Sequence, residues 1–181
     1  MTRILASTAL ALLLLAGCAE TQKATDTTVA AAKAQVNPTL STSDAAFITA
    51  AARGGMAEVQ LGQLAQTNGR STAVKRFGQR MVTDHGRANQ DLAALAQQKQ
   101  ISLPDGIGAE HQQTYDALAK LHGRAFDRAY AKAMVQDHRS DLQAYQTEAQ
   151  SGTDADVKAF AARNVPVLQE HLRLAQRLPQ H

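Results

Sequence analysis

Three histidines and one glutamate have the residue types and the spacing of a metal site. The segment Met81-Val82-Thr83-Asp84-His85 recurs 53 residues later as Met134-Val135-Gln136-Asp137-His138, and in both copies the histidine follows the methionine by four residues. That spacing places the two side chains on the same face of a helix. Glu170-His171 repeats the acid–histidine pair a third time, and Glu58 lies on the glycine-bearing stripe of an earlier segment. Imidazole and carboxylate groups together are typical ligands of zinc, copper or iron.

Four amphipathic segments must position these side chains, and their apolar residues recur at helical steps of three and four. The segments are predicted from Ser43-Asp44 to Asn68-Gly69, from Ser71 to Gln100, from Ala109 to Ser151-Gly152 with a break or bend at Gly123, and from Asp154 or Asp156 to Leu178. Short connections between long helices favour antiparallel neighbours. The sequence therefore predicts an all-α domain over residues 44–178, an antiparallel up-down-up-down four-helix bundle.

Each predicted helix carries one of the four candidate ligands near its middle. Counted at ~1.5 Å per residue, Glu58, His85, His138 and His171 fall at the same depth to within about one helical turn. A cluster of this kind can bind one transition-metal ion (zinc, copper or iron), can set the register of the helices as a buried polar group, or can take part in catalysis. The acid that precedes each histidine points about 100° away from it and is expected at the surface or behind a ligand. These acids are Asp84, Asp137 and Glu170.

The N-terminus has the pattern of a bacterial lipoprotein signal. Arg3 precedes a run of apolar or small residues from Ile4 to Ala16, which is too short to cross a bilayer of ~30 Å. The run ends in Leu15-Ala16-Gly17-Cys18, which resembles the lipobox, a motif whose cysteine is acylated after cleavage. Residues 1–17 are thus expected to be a signal peptide, and residues 18–43, rich in Thr, Ala and Gln, a flexible linker. The resemblance implies anchoring through Cys18 to the periplasmic face of the outer membrane.

Composition excludes several classes of protein. One cysteine rules out a disulfide framework and a four-thiolate zinc site. A net charge of +3 without a concentrated basic patch does not favour nucleic-acid binding. Neither a glycine-rich phosphate loop nor a nucleophile elbow occurs in the sequence.

The domain also resembles a known family. The pattern Phe77-x-x-x-Met81-Val82-x-Asp84-His85, Leu103-Pro104, Gly123-x-x-Phe126-Asp127-x-x-Tyr130, Asp137-His138 and Pro166-x-Leu168-x-x-His171 is similar to the uncharacterised domain-of-unknown-function family 4142. The resemblance implies a ferritin-like four-helix fold and an outer-membrane location, but no established activity. The Glu-x-x-His motif of di-iron bundles does not occur here, because Val82, Val135 and Leu168 hold the glutamate positions.

Two functions are therefore expected from the sequence. The first is a non-enzymatic envelope lipoprotein whose helical bundle is a structural or interaction module. The alternative is a periplasmic metal-binding bundle, used in metal handling or oxidative stress, with Glu58, His85, His138 and His171 as ligands.

Overall fold

The computed structural model describes residues 40–179, so the predictions for the signal peptide, Cys18 and the linker up to residue 39 lie outside the described residues. The described chain is all-α and, within residues 40–179, contains no strand. Its helices are α1 Thr42–Asn68, α2 Thr72–Gln98, α3 Gly108–Ala119, α4 Gly123–Ser151 and α5 Ala155–Ala175. Among these described helices, none is long and apolar enough to span a membrane.

The first helix begins two residues earlier than its sequence predicts, because Ser41 rather than Ser43 is the N-cap. The Ser41 hydroxyl accepts from the Asp44 N–H at 3.1 Å, and the Asp44 carboxylate accepts from the Ser41 N–H in return. This reciprocal capping box satisfies two N–H groups that a helix start otherwise leaves unpaired. Asp44 also accepts from the N–H groups of Thr153 and Asp154. One carboxylate therefore joins the start of α1 to the start of α5.

The predicted third helix is in fact two helices that run in opposite directions. α3 begins with Gly108 against Arg53 in the first half of α1, and it ends where Asn68 donates to the carbonyl of Ala119. α3 therefore runs alongside α1 in the same direction. The chain turns after Ala119 and enters α4 at Gly123, whose φ of +62° lies in the left-handed region that glycine adopts readily. The glycine that predicted a bend thus marks a reversal.

The directions of the long helices correct the predicted up-down-up-down order. α4 runs antiparallel to α1, because Asp127 lies beside Gly69 at one end while Tyr145 contacts Phe47 near the other. α2 is also antiparallel to α1, with which it forms a hairpin. α2 and α4 therefore run the same way, and the four long helices follow an up-down-down-up order. The prediction was wrong at this one connection because α3 carries the chain back along the bundle before α4 starts.

α1 and α2 approach closely at a pair of glycines. A Cβ atom on Gly62 would lie 2.5 Å from the Gly78 carbonyl oxygen, and one on Gly78 would lie 2.6 Å from the Gly62 oxygen. Real side chains do not tolerate such distances, so this crossing requires glycine on both helices.

The apolar core is divided into two clusters by a polar layer. One cluster contains Phe47 and Phe160, and the other contains Phe77 and Phe126. On each long helix the residues of the two clusters lie on either side of one buried polar residue. These polar residues are Glu58 on α1, His85 on α2, His138 on α4 and His171 on α5.

Candidate metal centre

The three histidines meet in the polar layer, and we call them the imidazole triad: His85, His138 and His171. Their ring centroids are 5.7 Å apart for His85–His138, 5.3 Å for His85–His171 and 5.4 Å for His138–His171. Each offers a ring nitrogen, and these three nitrogens lie within 4.8 Å of one another. His138 and His171 are fully buried, and His85 is 7% exposed. The structure thus brings together the three imidazoles that the sequence placed at one depth.

Apolar rings and close helix packing fix the triad in place. Phe77 on α2 packs edge-on against His138 and His171, with centroid distances of 6.1 and 6.5 Å. Phe77 also packs against Tyr130, which belongs to the same apolar cluster. A wall of this kind limits ring rotation, since interiors are packed as densely as organic crystals.

Hydrogen bonds to groups outside the triad show which ring nitrogen carries the hydrogen in His138 and in His171. His138 Nδ1 lies 3.0 Å from the Met134 carbonyl oxygen, which can only accept, so Nδ1 carries the hydrogen of the neutral ring. His171 Nε2 lies 2.9 Å from the Asp84 carboxylate. Partial burial raises the pKa of Asp84, but hydrogen bonds from His171 and Arg80 outweigh it and hold that pKa below its ordinary value. Asp84 is therefore an acceptor at neutral pH, and His171 Nε2 carries the hydrogen.

The remaining nitrogens of the triad are buried and have no partners among the described residues. These nitrogens are His85 Nε2, His138 Nε2 and His171 Nδ1. The two assignments above leave bare lone pairs on His138 Nε2 and His171 Nδ1. His85 Nε2 can donate one hydrogen to one of them at most. At least one buried lone pair thus stays unsatisfied, which costs ~1–3 kcal/mol in a protein interior.

Burial keeps the triad in its neutral, metal-binding form. Desolvation lowers the pKa of His138 to about 4, and the pKa of His85 falls well below its ordinary value because of burial and the two neighbouring imidazoles. The pKa of His171 is also lowered by burial, although Asp84 opposes the change. Protons therefore do not compete for these nitrogens at neutral pH.

Glu58 does not share the triad's centre, in contrast to the ligand set predicted from sequence. Its Oε1 atom lies 3.5 Å from His138 Nδ1, the nitrogen whose hydrogen the Met134 carbonyl accepts. Glu58 instead forms a group with Asp137 and His138, whose candidate ligand atoms lie within 4.8 Å of one another. The difference arises because helical spacing fixes the face on which a residue lies but not which side of a neighbouring ring it approaches.

The three acids expected at the surface or behind a ligand occupy different surroundings. Asp84 accepts from His171 and from Arg80 Nε at 3.0 Å, so it lies directly behind one ring of the triad. Asp137 is next to Glu58, on the inner side of α4. Glu170 is a surface residue that pairs with Arg173.

One acidic residue near the site was not identified from the sequence. Asp141 follows Asp137 by four residues, on the same face of α4, and its carboxylate lies 3.6 Å from the position of a Cβ on Gly54. Burial and the neighbouring Asp137 raise the pKa of Asp141 well above its ordinary value, and the same causes act on Glu58. The sequence did contain a signal for Asp141: Asp137 and Asp141 are spaced i, i+4 on α4, as Gly54 and Glu58 are on α1.

Comparison with known proteins identifies the family. The model of the domain of unknown function DUF4142 matches residues 29–178. The chain belongs to this family. The DUF4142 domain therefore includes all five described helices and the whole triad. Comparison with curated proteins gave no match.

A solved structure resembles the DUF4142 fold. A DUF305 protein from Streptomyces coelicolor aligns with a TM-score of 0.63 and 14% identity, over 74% of this chain and 88% of that one. At this identity the likeness concerns the fold alone.

Proposed function

We propose that this DUF4142 domain binds one transition-metal ion through His85 Nε2, His138 Nε2 and His171 Nδ1. One observation carries the proposal: the buried nitrogens His138 Nε2 and His171 Nδ1 each keep a bare lone pair, and the third buried nitrogen, His85 Nε2, could supply one hydrogen at most. A metal ion would satisfy all three nitrogens together. The sequence ranked a structural or interaction role first, and the unpartnered nitrogens favour the alternative.

The donor set favours zinc or copper over iron. Imidazole nitrogens suit zinc and copper, whereas non-haem iron sites commonly add a carboxylate ligand. Bonds of ~2.0 Å to a tetrahedral ion require nitrogens roughly 3.3 Å apart. The rings would therefore need to close by no more than about 1.5 Å from the present separation of up to 4.8 Å.

The groups behind the rings are those that metal-binding histidines typically use. A ligating imidazole usually donates its other N–H to a carboxylate or a backbone carbonyl, which fixes the tautomer. Asp84 serves His171 in this way, and the Met134 carbonyl serves His138. Asp84 also places one negative charge beside a cationic centre.

The proposed role is binding rather than catalysis. The triad is buried between two apolar clusters, and the cavity beside α3 is lined by Asp137 and Asp141 rather than by the three imidazoles. A substrate would therefore not reach the ion without rearrangement of the core.

We further propose a ferritin-like four-helix arrangement for the bundle. Ferritin-like folds differ from simple up-down bundles by one long crossover connection. The α3 segment is such a crossover, because it lets α2 and α4 run in the same direction.

The location proposed for the domain is the periplasmic face of the outer membrane, with acylated Cys18 as the anchor. Its support is the Leu15-Ala16-Gly17-Cys18 motif and the linker that follows. Incorporation of a labelled fatty acid into the chain, and its loss in Cys18→Ser, tests the anchor. Recovery of unlabelled wild-type protein in the soluble periplasmic fraction would exclude it.

Metal content after chelation and readdition tests the binding proposal. The purified chain, dialysed against chelator and then against zinc or copper, is expected to retain one ion per chain by elemental analysis. His85→Ala and His138→Ala should lose the ion, whereas His122→Ala, which removes an exposed histidine at the start of α4, should keep it. Equal uptake by all variants, or uptake by none including the wild type, would refute the triad as a metal site.

A further inference from the structure

A cavity lies under α3, between that helix and the long helices α1 and α4, and we call it the α3 cavity. Its volume is about 370 Å³, and its walls include Asp137 and Asp141 from α4 and Glu110 from α3. Arg53 and His111 also line it. At ~30 Å³ per molecule of liquid water, a space of this size holds about twelve waters.

A buried carboxyl group lies behind the wall of this cavity. Glu58 is fully buried, and no N–H or hydroxyl group within the described part of the chain donates to its oxygens, so the hydrogen bond open to it is one shared with the Asp137 carboxyl group. The hydrogen on the nearest ring nitrogen, His138 Nδ1, is directed to the Met134 carbonyl instead. A pair of carboxyl groups that can share only one hydrogen is costly to bury, because their remaining lone pairs have left water without replacement.

The carboxyl groups around Glu58 form a set of oxygen donors. An oxygen of Glu58 and one of Asp137 lie within 4.8 Å of each other. Asp141 adds a third carboxyl group one helical turn along α4, near enough to raise the pKa of Glu58 but not within 4.8 Å of both other carboxyl groups. Asp141 approaches α1 at Gly54, where a Cβ atom would lie in ordinary contact with its carboxylate at 3.6 Å. We define Glu58, Asp137 and Asp141 as the acidic group.

We propose that the acidic group binds a second cation, a hard divalent ion such as Mn²⁺, at the wall of the α3 cavity. Carboxylate oxygens and water are the ligands that Mn²⁺ and Mg²⁺ prefer, in contrast to the imidazoles of the triad. The cavity supplies room for the waters that such ions retain. The site differs from the triad in donor type, in position and in access to solvent, so it does not depend on metal binding by the triad.

Titration of the metal-free chain with Mn²⁺, followed by the electron paramagnetic resonance signal of the free aqueous ion, tests this site. The wild-type chain is expected to remove one equivalent of Mn²⁺ from the free signal. Glu58→Gln and Asp141→Asn keep the side-chain shapes and are each expected to weaken binding at least tenfold. Asp91→Asn, which changes an exposed aspartate on α2, is the matched control and should bind like the wild type.

A second arm separates this proposal from the first. His85→Ala, which removes a triad ligand outside the acidic group, should bind Mn²⁺ as the wild type does while losing zinc. Circular dichroism establishes that each variant is folded, and Asp141→Asn, at the cavity wall, serves if Glu58→Gln does not fold. No Mn²⁺ uptake by the wild type, or equal loss in Asp91→Asn, would overturn the second site and leave the zinc result of the triad unaffected. Loss of Mn²⁺ in His85→Ala but not in the acidic variants would assign that ion to the triad and overturn it as well.

Discussion

Replacement of His85 by leucine should change stability in opposite directions with and without metal. His85 is 7% exposed and brings one unpartnered nitrogen into the core. An unsatisfied buried polar group costs ~1–3 kcal/mol, and an imperfectly fitting apolar replacement of similar size costs up to ~1.5 kcal/mol. We therefore expect His85→Leu to stabilise the metal-free chain by about 1 kcal/mol, which corresponds to a rise in Tm of about 3 °C for a domain of this size.

Saturation with zinc should reverse this order. An ion present at 100 times its Kd stabilises the folded state by ~2.7 kcal/mol, and the leucine variant lacks one of the three ligands needed to gain that energy. The wild type should then exceed His85→Leu by about 2 kcal/mol. Urea unfolding of both chains, in chelator and in zinc, measures the two differences.

His122→Leu is the control for this experiment, because His122 is exposed and lies outside the triad. It should change the free energy of unfolding by less than ~0.5 kcal/mol in either condition. A loss of 2 kcal/mol or more for His85→Leu in chelator, together with no effect of zinc on the wild type, would contradict the reasoning. The triad would then be a satisfied polar network that serves the fold.

Three further predictions concern the surroundings of the triad and the helix packing. Asp84→Asn removes the carboxylate behind His171 and should weaken zinc binding roughly 10–100-fold, measured by competition with a chromophoric chelator, because such outer groups orient the ligand. In the metal-free chain, His138 should contribute a loss of roughly 3 kcal/mol as pH falls from ~6.5 to about 4, because its folded pKa lies below the unfolded value and the unfolded chain takes up the proton first. Glu58, Asp141 and Glu148, whose pKa values are raised, act in the opposite direction. The difference in free energy of unfolding between the wild type and His138→Leu, measured in urea at each pH, should therefore fall by that amount. Gly78→Ala should lower the free energy of unfolding by ~1–3 kcal/mol, because its Cβ would meet a backbone oxygen of α1 at 2.6 Å. The control Gly86→Ala, whose Cβ would have nothing within 4 Å among the described residues, should raise the free energy of unfolding by up to ~1 kcal/mol. Equal effects of the two substitutions in thermal unfolding would contradict the close crossing of α1 and α2.

The meeting of the three histidines could be predicted because it depends only on spacing. A residue's face follows from its position along a helix, and its depth follows from the count of residues to the helix end. His85, His138 and His171 satisfied both conditions, and the structure places their rings within 5.3–5.7 Å.

The crossover and the positions of Glu58 and Asp141 could not be predicted in the same way. Gly123 permits either a bend or a reversal, and the choice depends on contacts of α3 with α1 that periodicity does not encode. The side of His138 that Glu58 approaches depends on side-chain rotation rather than on helical phase. Asp141 was overlooked because an acidic i, i+4 pair is more often solvated, and only the glycine opposite it indicates otherwise.

The crossover also divides the domain into two halves that share the proposed ion. α1 packs chiefly on α2, and α4 packs chiefly on α5, so each half is a hairpin with its own internal surface. The first hairpin supplies His85, and the second supplies His138 and His171. A zinc ion there would bind residues of both hairpins and so hold them together. Chains nicked in the segment 101–107 should consequently reassemble into a native complex far more readily with zinc than with a chelator.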